Sequence, residues 1–352
     1  MLRGNYPPEL SQIPPKIRWL RPSLFFVGTS AMVFTVAAYV TNVATDHYLT
    51  IMKPKDNGAD VSNRQLYEFM QRYHLQSNSV TGVLKAIHED LLFPGVYVLL
   101  MFSQFLWGID RFQTSLFRHW THSMGSGKSY TILTSIVSMG SLSQFLLISM
   151  VAGHGQLQNK MESLKGRFRA PLDDIHEVSS AYHIVAFWVS AGMFGLLAPQ
   201  FVHWLRFRSA LRSLASGIPP NVRAGQERLI NKTLRYQMGP TAAFYASLTL
   251  LACHYHSATM TISIPAWEFN YNLFRVGTMW MGWCSSEFIL MLIGLGPINW
   301  AGHLCGVLYG ALYYRYGFEL WRWLRRKLYD RQRSIGGSIH VYPFARSKTV
   351  DG

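Results

Sequence analysis

A long apolar segment late in this chain reads Ile298-Asn299-Trp300-Ala301-Gly302-His303-Leu304-Cys305-Gly306-Val307-Leu308-Tyr309-Gly310. Gly302, Gly306 and Gly310 recur at every fourth position, so on a helix they form a smooth ridge that lets a neighbouring backbone approach closely. His303 lies beside this ridge. Burying a titratable ring among apolar side chains in a membrane is unfavourable, so we expect His303 to face the protein interior and the helix that packs on the ridge.

The composition of the whole chain is that of a helical membrane protein. Of its 352 residues, 49% are hydrophobic and only 14% are charged, whereas soluble domains carry about 25% charged residues. The net charge of +15 lies mostly in loops and tails, where it indicates membrane topology and lipid head groups and not nucleic acid. All three cysteines fall inside apolar runs, and no disulfide framework, metal site or cofactor is predicted.

Seven apolar segments predict seven membrane-spanning helices, since each approaches the length of about 20 residues that a bilayer requires. They cover approximately residues 24–45, 91–109, 130–153, 181–204, 239–260 and 273–295 and the segment quoted above. Trp107, near the end of the second, is predicted to be an interfacial aromatic. We divide the chain into an anchor helix with a polar loop (1–90), a membrane core (91–316) and a basic tail (317–352). Residues 64–74 predict a short amphipathic helix within the polar loop.

An odd number of spans places the two termini on opposite sides of the membrane, and the charge distribution predicts which side is which. The segments on the N-terminal side (1–23, 110–129 and 206–238) carry a large excess of Lys and Arg, and the opposite loops do not. Positive loops stay on the inner side. We therefore expect the N-terminus in the matrix or cytosol, although the late basic tail departs from this rule.

The tail interleaves tryptophans with cations directly after the last span. Its basic residues are Arg322, Arg325, Arg326 and Lys327. Such a segment is expected to lie at the membrane interface and to bind anionic lipid such as cardiolipin. The alternative is a solvated basic helix that contacts a protein partner.

Two polar residues within the apolar segments are candidate site residues. Glu287 lies inside the sixth span, where an acid is a functional-site hypothesis by default, although nearby serines could equally satisfy it in its protonated form. Thr241 follows Gly239 and Pro240, which are good helix-start signals. Its hydroxyl either caps the helix or faces a partner, and on local grounds the capping role is favoured.

These residues together resemble the rhomboid intramembrane proteases. The segment around His303 is similar to the last core helix of that family, which carries Ala-His-x-x-Gly-x-x-x-Gly, with Gly302 here in place of the Ala. Gly239-Pro240-Thr241-Ala242 falls where the family has Gly-x-Ser-Gly. The additional N-terminal span, and its start at Arg18–Gly28, resemble the mitochondrial, presenilin-associated branch. The resemblance implies an all-α fold with a rhomboid-like six-helix core plus one N-terminal transmembrane helix, located in the mitochondrial inner membrane.

The departures from the family pattern imply loss of catalysis. In the family the Ser is the nucleophile and the His is its base, so Thr241 and His303 occupy those positions. The branched β-carbon of Thr restricts its rotamers, and Ala242 adds a methyl group where the family has Gly. The oxyanion pair His-x-x-x-Asn aligns with Gln144 and Ile148, and losing one oxyanion donor typically lowers the rate by about 10²–10³. We therefore expect no useful proteolysis, and expect His303 to donate a hydrogen bond to Thr241.

The sequence thus predicts a non-catalytic rhomboid-like protein, a pseudoprotease. Its partners would be transmembrane segments of other membrane proteins, within a hetero-oligomeric complex of the import, quality-control or respiratory machinery. Two alternatives remain open. One is an active intramembrane protease that uses Thr241 and His303, and the other is a transporter or channel subunit built around Glu287.

Overall fold

The computed structural model describes residues 20–51, 98–122, 128–139, 181–215, 238–257, 259–264, 269–293 and 300–336. Most of these residues are helical. The α-helices are α1 (Leu20–Ile51), α2 (Val98–Trp107), α3 (Asp110–His119), α4 (Thr131–Ile136), α5 (Ala181–Ala215), α6 (Thr241–His254), α7 (Val276–Ile293), α8 (Trp300–Leu312) and α9 (Phe318–Gly336). A π-helix, Tyr313–Gly317, joins α8 to α9 without an intervening loop.

Three helices are long and apolar enough to cross a membrane, namely Leu20–Thr45 within α1, Ala181–Phe201 within α5, and α7. They correspond to the first, fourth and sixth predicted spans. The chain is therefore a multi-pass helical membrane protein. Two further apolar helices, α2 and α6, are shorter.

A two-stranded antiparallel hairpin between α6 and α7 was not predicted. Strand β1 (Thr259–Ile264) pairs with β2 (Phe269–Arg275), with an irregularity in register between Met260 and Thr261. Along β1 the hydroxyl residues Thr259, Thr261 and Ser263 alternate with the apolar residues Met260, Ile262 and Ile264. This period of two favours a strand. The expectation of an all-α fold is therefore correct for the membrane helices and wrong for this connection.

The third predicted span (130–153) is wrong as a continuous helix. Within its described residues, 130–139, helix α4 is only six residues long, and residues 140–153 lie outside the described part of the chain. The backbone N–H of Met139 donates to the side chain of Ser103 at 3.1 Å, and the carbonyl of Ser135, which would accept it in a longer helix, accepts from the N–H of Gly239 at 2.8 Å. The Ser135 carbonyl also accepts from the N–H of Ser138 at 3.2 Å. A tighter local hydrogen bond and tertiary hydrogen bonds therefore take the place of further helical ones after Ile136.

The fifth predicted span is also too long. Helix α6 has 14 residues, about 21 Å at 1.5 Å per residue, which is less than the hydrocarbon thickness of about 30 Å. The N–H of Tyr255 bonds the carbonyl of Leu251 at 2.8 Å, and the strand begins shortly afterwards. Trp107, predicted to be an interfacial aromatic, is buried in the protein with 2% exposure, and its indole donates to Ser138 at 2.9 Å.

The chain forms two compact units, each discontinuous in sequence. Unit 1 comprises Met1–Val33, Met101–Ala152 and Phe187–Gly317, and unit 2 comprises Phe34–Leu100, Gly153–Ala186 and Phe318–Gly352. A cluster of buried apolar side chains from α4 and α5 forms part of the core of unit 1, namely Ile132, Ile136, Met193 and Leu196. The amphipathic helix predicted at 64–74 lies outside the described residues.

Candidate functional site: a buried polar cluster beside the glycine ridge

The glycine ridge of α8 packs directly on the backbone of α6, as predicted. A Cβ placed on Gly306 would overlap the carbonyl oxygen of Ala242, and one placed on Gly310 would overlap that of Ala246. Neither position can therefore carry a side chain without moving the two helices apart. All three ridge glycines, Gly302 included, are buried.

A third helix joins this contact and provides the space that the methyl group of Ala242 needs. A Cβ on Gly195 of α5 would overlap the Ala242 methyl and would lie 3.3 Å from the carbonyl oxygen of Gly302. The extra methyl of Ala242, relative to glycine, is therefore accommodated by a glycine on the facing helix. Helices α5, α6 and α8 meet at this residue.

His303 projects from this ridge toward α6 and α7. Its ring stacks on that of Tyr245, with centroids 4.3 Å apart and planes inclined by 16°. Its Nδ1 lies 3.3 Å from Oε2 of Glu287. Neither atom has a hydrogen bond of good geometry. Trp300 packs edge-on against the imidazole at 5.8 Å.

Glu287 is the centre of the cluster. It is 2% exposed and is the one buried residue of α7. Its Oε1 accepts hydrogen bonds from the hydroxyl of Tyr245 and, at 2.9 Å, from the indole of Trp283. That indole also approaches the Tyr245 oxygen at 3.2 Å. One oxygen of the acid, Oε1, is therefore satisfied by aromatic donors, and not by the neighbouring serines that the sequence suggested.

Thr241 begins α6, one helical turn before Tyr245. The turn that precedes it depends on Gly239, whose φ of 103° lies in the left-handed region that favours glycine. The helix has no side-chain N-cap. Among the described contacts, no hydrogen bond joins Thr241 to His303, whose imidazole stacks on Tyr245 and faces Glu287. The expected His303–Thr241 hydrogen bond is therefore not formed.

The remaining predicted site residues divide between described and undescribed parts of the chain. Gln144 and Ile148, at the predicted oxyanion positions, lie outside the described residues. No group of three His, Cys, Asp or Glu side chains within the described ranges is arranged to hold a metal ion.

The basic residues of α9 do not all face outward. Arg326 and Lys327 are exposed and Arg322 is half-buried, but Arg325 is 3% exposed. Its Nε donates to the side-chain oxygen of Asn42 at 2.9 Å, and the Asn42 amide donates to the Arg325 carbonyl at 3.0 Å. Arg325 therefore connects α9 to α1 and is not part of the exposed basic set.

Sequence reasoning identified Glu287 and His303 separately but missed their partners. Tyr245 lies in a helix that is apolar on all sides, so no periodicity distinguishes its hydroxyl from the surrounding core. Trp283, at the position four residues before Glu287, was the available signal, because residues at that spacing share a helix face.

Comparison with known proteins gives no match, whether against family models, curated proteins or solved structures.

Proposed function

We propose that this chain is a non-catalytic, rhomboid-like protein of the mitochondrial inner membrane that binds transmembrane segments within a hetero-oligomeric complex. The observation that carries the proposal is the engagement of His303. A base that activates a nucleophile must lie within hydrogen-bond reach of it, whereas this imidazole stacks on Tyr245 and faces Glu287. The cluster therefore serves to hold three helices together.

Helix α7 offers the surface on which a partner segment would bind. Apart from Glu287, its side chains are exposed or half-buried. Met281 is 68% exposed, Ile289 56% and Leu292 63%, and they share one face. A shallow groove on this face includes Cys284 and Ser285. Small and polar side chains support close packing and hydrogen bonding between helices in a membrane.

The topology that we propose is the one that the charges predict, with the N-terminus in the matrix and the C-terminus in the intermembrane space. Phe34 of α1 contacts Trp321 of α9, with ring centroids 6.2 Å apart, and Asn42 bonds Arg325. Contacts therefore advance along both helices in the same direction, so α1 and α9 run parallel. This fixes the direction of α9 relative to α1, although α9 is not among the helices that are apolar enough to cross a membrane.

A second candidate, an active intramembrane protease, is favoured by one observation. The carboxylate of Glu287 faces Nδ1 of His303, which leaves Nε2 as the free ring nitrogen. In hydrolases with a Ser-His-Asp arrangement, an acid at Nδ1 orients the histidine while Nε2 takes the proton of the nucleophile. Thr241, one turn from Tyr245, would be that nucleophile if the helices rearranged when substrate bound.

One reconstitution experiment separates the two candidates. The full chain is incorporated into liposomes with a rhomboid substrate, alongside Thr241→Val and His303→Ala. We expect no cleavage by any of the three. Cleavage by the natural protein that is lost in both variants would falsify the non-catalytic proposal.

Partner binding is tested by photo-crosslinking in mitochondria. A photoreactive residue replaces Met281 or Ile289 on α7, or Met32 on α1 as a control, since Met32 is also 67% exposed. We expect discrete crosslinks to membrane proteins from the two α7 positions only. Equal or absent crosslinking at all three positions would argue that α7 faces only lipid.

A further inference from the structure

The hairpin formed by β1 and β2 has one apolar face and one polar face. Successive residues of a strand alternate between the two faces of a sheet, and residues opposite each other on neighbouring strands share a face. The observed register therefore assigns each residue to a face. We define the hairpin apolar face as Met260, Ile262, Ile264, Phe269, Tyr271 and Phe274. The opposite, polar face consists of Thr259, Thr261, Ser263, Asn270, Asn272 and Arg275.

The irregularity in register completes this separation. Met260 pairs with Phe274, but the next residue, Thr261, pairs with Asn272, so Leu273 is an additional residue on β2. In a regular strand Phe274 would share a face with Asn272, because residues alternate with a period of two. The additional residue shifts this alternation and places Phe274 on the hairpin apolar face. No charged residue belongs to that face.

Covalent connections place the hairpin at the membrane surface. Arg275, the last residue of β2, is followed directly by Val276, the first residue of α7, which is long and apolar enough to cross a membrane. The backbone N–H of Gly277 donates to the carbonyl of His256 at 3.3 Å, so the two ends of the hairpin are held together beside the first turn of α7. A hairpin that begins and finishes at the end of a membrane helix lies next to the bilayer.

The unpaired strand edges limit how deeply the hairpin can lie. The sheet has only two strands, so within the described part of the chain each strand has one edge that is not paired in a sheet. Open edges do not occur within hydrocarbon, because unsatisfied N–H and C=O groups there are costly. Water and head groups satisfy such edges at the interface. The hairpin therefore belongs at the boundary between hydrocarbon and water, and not inside the hydrocarbon.

A hairpin of two strands also needs a surface to cover its apolar face. Isolated hairpins are only marginally stable in water, and packing of the apolar face stabilises them. Among the described helices, only α7, which continues β2, contacts the hairpin extensively. The bilayer into which α7 runs is therefore the apolar surface that the chain connections bring nearest to this face.

We propose that the hairpin is an interfacial anchor, in which the hairpin apolar face lies on the bilayer and contacts the upper acyl region while the polar face lies in water. Removal of apolar residues from water drives this contact, and tyrosines such as Tyr271 are common at this depth. Attraction to anionic head groups is not required, because the apolar face carries no charge. This inference is independent of the proposed binding of transmembrane segments.

The test measures fluorescence quenching at four hairpin positions in the full-length protein, reconstituted in phosphatidylcholine nanodiscs. A genetically encoded fluorescent residue replaces Ile262 or its cross-strand neighbour Tyr271. Matched controls carry the same residue on the polar face, at Thr261 or Asn272. Bromine on the upper acyl carbons of the lipid should quench the first two positions, and iodide in the water should not. The two controls should show the reverse, and replacing part of the lipid by cardiolipin should leave this pattern unchanged.

Three results would overturn the proposal. Iodide quenching at all four positions would mean that the hairpin stands in water. Protection of Ile262 and Tyr271 from both quenchers would assign the apolar face to a protein partner or to a second copy of this chain. Bromine quenching that requires cardiolipin would mean that head-group charge brings the hairpin to the membrane. If the fluorescent residue at Ile262 prevents folding, the one at Tyr271 reports the same face.

Discussion

Replacing Glu287 should loosen α7 more than any other single change on that helix. Glu287→Ala removes the carboxylate that meets Tyr245, Trp283 and His303. Hydrogen bonds inside membrane proteins average about 0.6 kcal/mol each, so three ordinary contacts would contribute about 2 kcal/mol. Removal of the carboxylate also leaves the buried hydroxyl of Tyr245 without its acceptor, and an unsatisfied buried donor costs about 1–3 kcal/mol. Because Glu287 itself is 2% exposed, we expect Glu287→Ala to lower the unfolding free energy by about 2–4 kcal/mol.

Two further variants separate the contributions. Glu287→Gln keeps the size of the side chain and an acceptor oxygen for Tyr245 and Trp283, but it replaces the second oxygen, which faces His303, by an amide. It should lower the unfolding free energy by less than Glu287→Ala, about 0.5–1.5 kcal/mol, which is the contribution of one hydrogen bond. Ile289→Ala is the matched control on the same helix, because its side chain is 56% exposed and its loss should have little effect.

The assay is reversible unfolding in mixed micelles, combined with a double-mutant cycle that includes His303→Ala. A coupling free energy between Glu287 and His303 of about 1–3 kcal/mol is expected for residues in direct contact. The rate of backbone amide hydrogen exchange should rise selectively in α7 of the Glu287→Ala variant. The reasoning is refuted if Glu287→Ala is no more destabilising than Ile289→Ala, or if the coupling is near zero.

Two other predictions concern the glycine ridge and a buried histidine. Gly306→Ala should lower the unfolding free energy by about 1–3 kcal/mol, since its Cβ would overlap the Ala242 carbonyl and overpacking has that magnitude. Gly282→Ala, which meets nothing within 4 Å, should be neutral or slightly stabilising, and equal losses in the two melts would contradict the packing argument. Burial lowers the pKa of His122 from 6.5 to about 4. The histidine therefore binds its proton at a higher pH in the unfolded chain than in the folded one. The free energy of unfolding consequently falls by about 3 kcal/mol as the pH drops from about 6.5 toward 4. Thermal stability in detergent between pH 7 and pH 4 measures this loss, and His122→Gln should flatten the profile; an unchanged slope would show that His122 does not carry the effect.

Properties that depend on local composition were accessible from the sequence. Hydrocarbon selects for long apolar helices, so the spans at α1, α5 and α7 follow from hydropathy alone. The glycine ridge of α8 also follows, because the spacing of Gly306 and Gly310 is a property of one helix and its contact with another backbone needs no particular partner. Gly239 likewise marks a turn, since its φ of 103° favours a residue without a Cβ.

Tertiary packing decided which helices meet and which residues along them come into contact. Glu287 and His303 were both recognisable as unusual residues, but their pairing depends on α7 and α8 approaching the same side of Tyr245. Arg325 and Arg326 are adjacent in a uniform basic run, yet 100° of helical rotation buries one against Asn42 and exposes the other. The end of α4 also depends on tertiary contacts, because the N–H of Met139 donates to the hydroxyl of Ser103 on another helix. Such outcomes depend on hydrogen-bond partners distant in sequence, which no local pattern encodes.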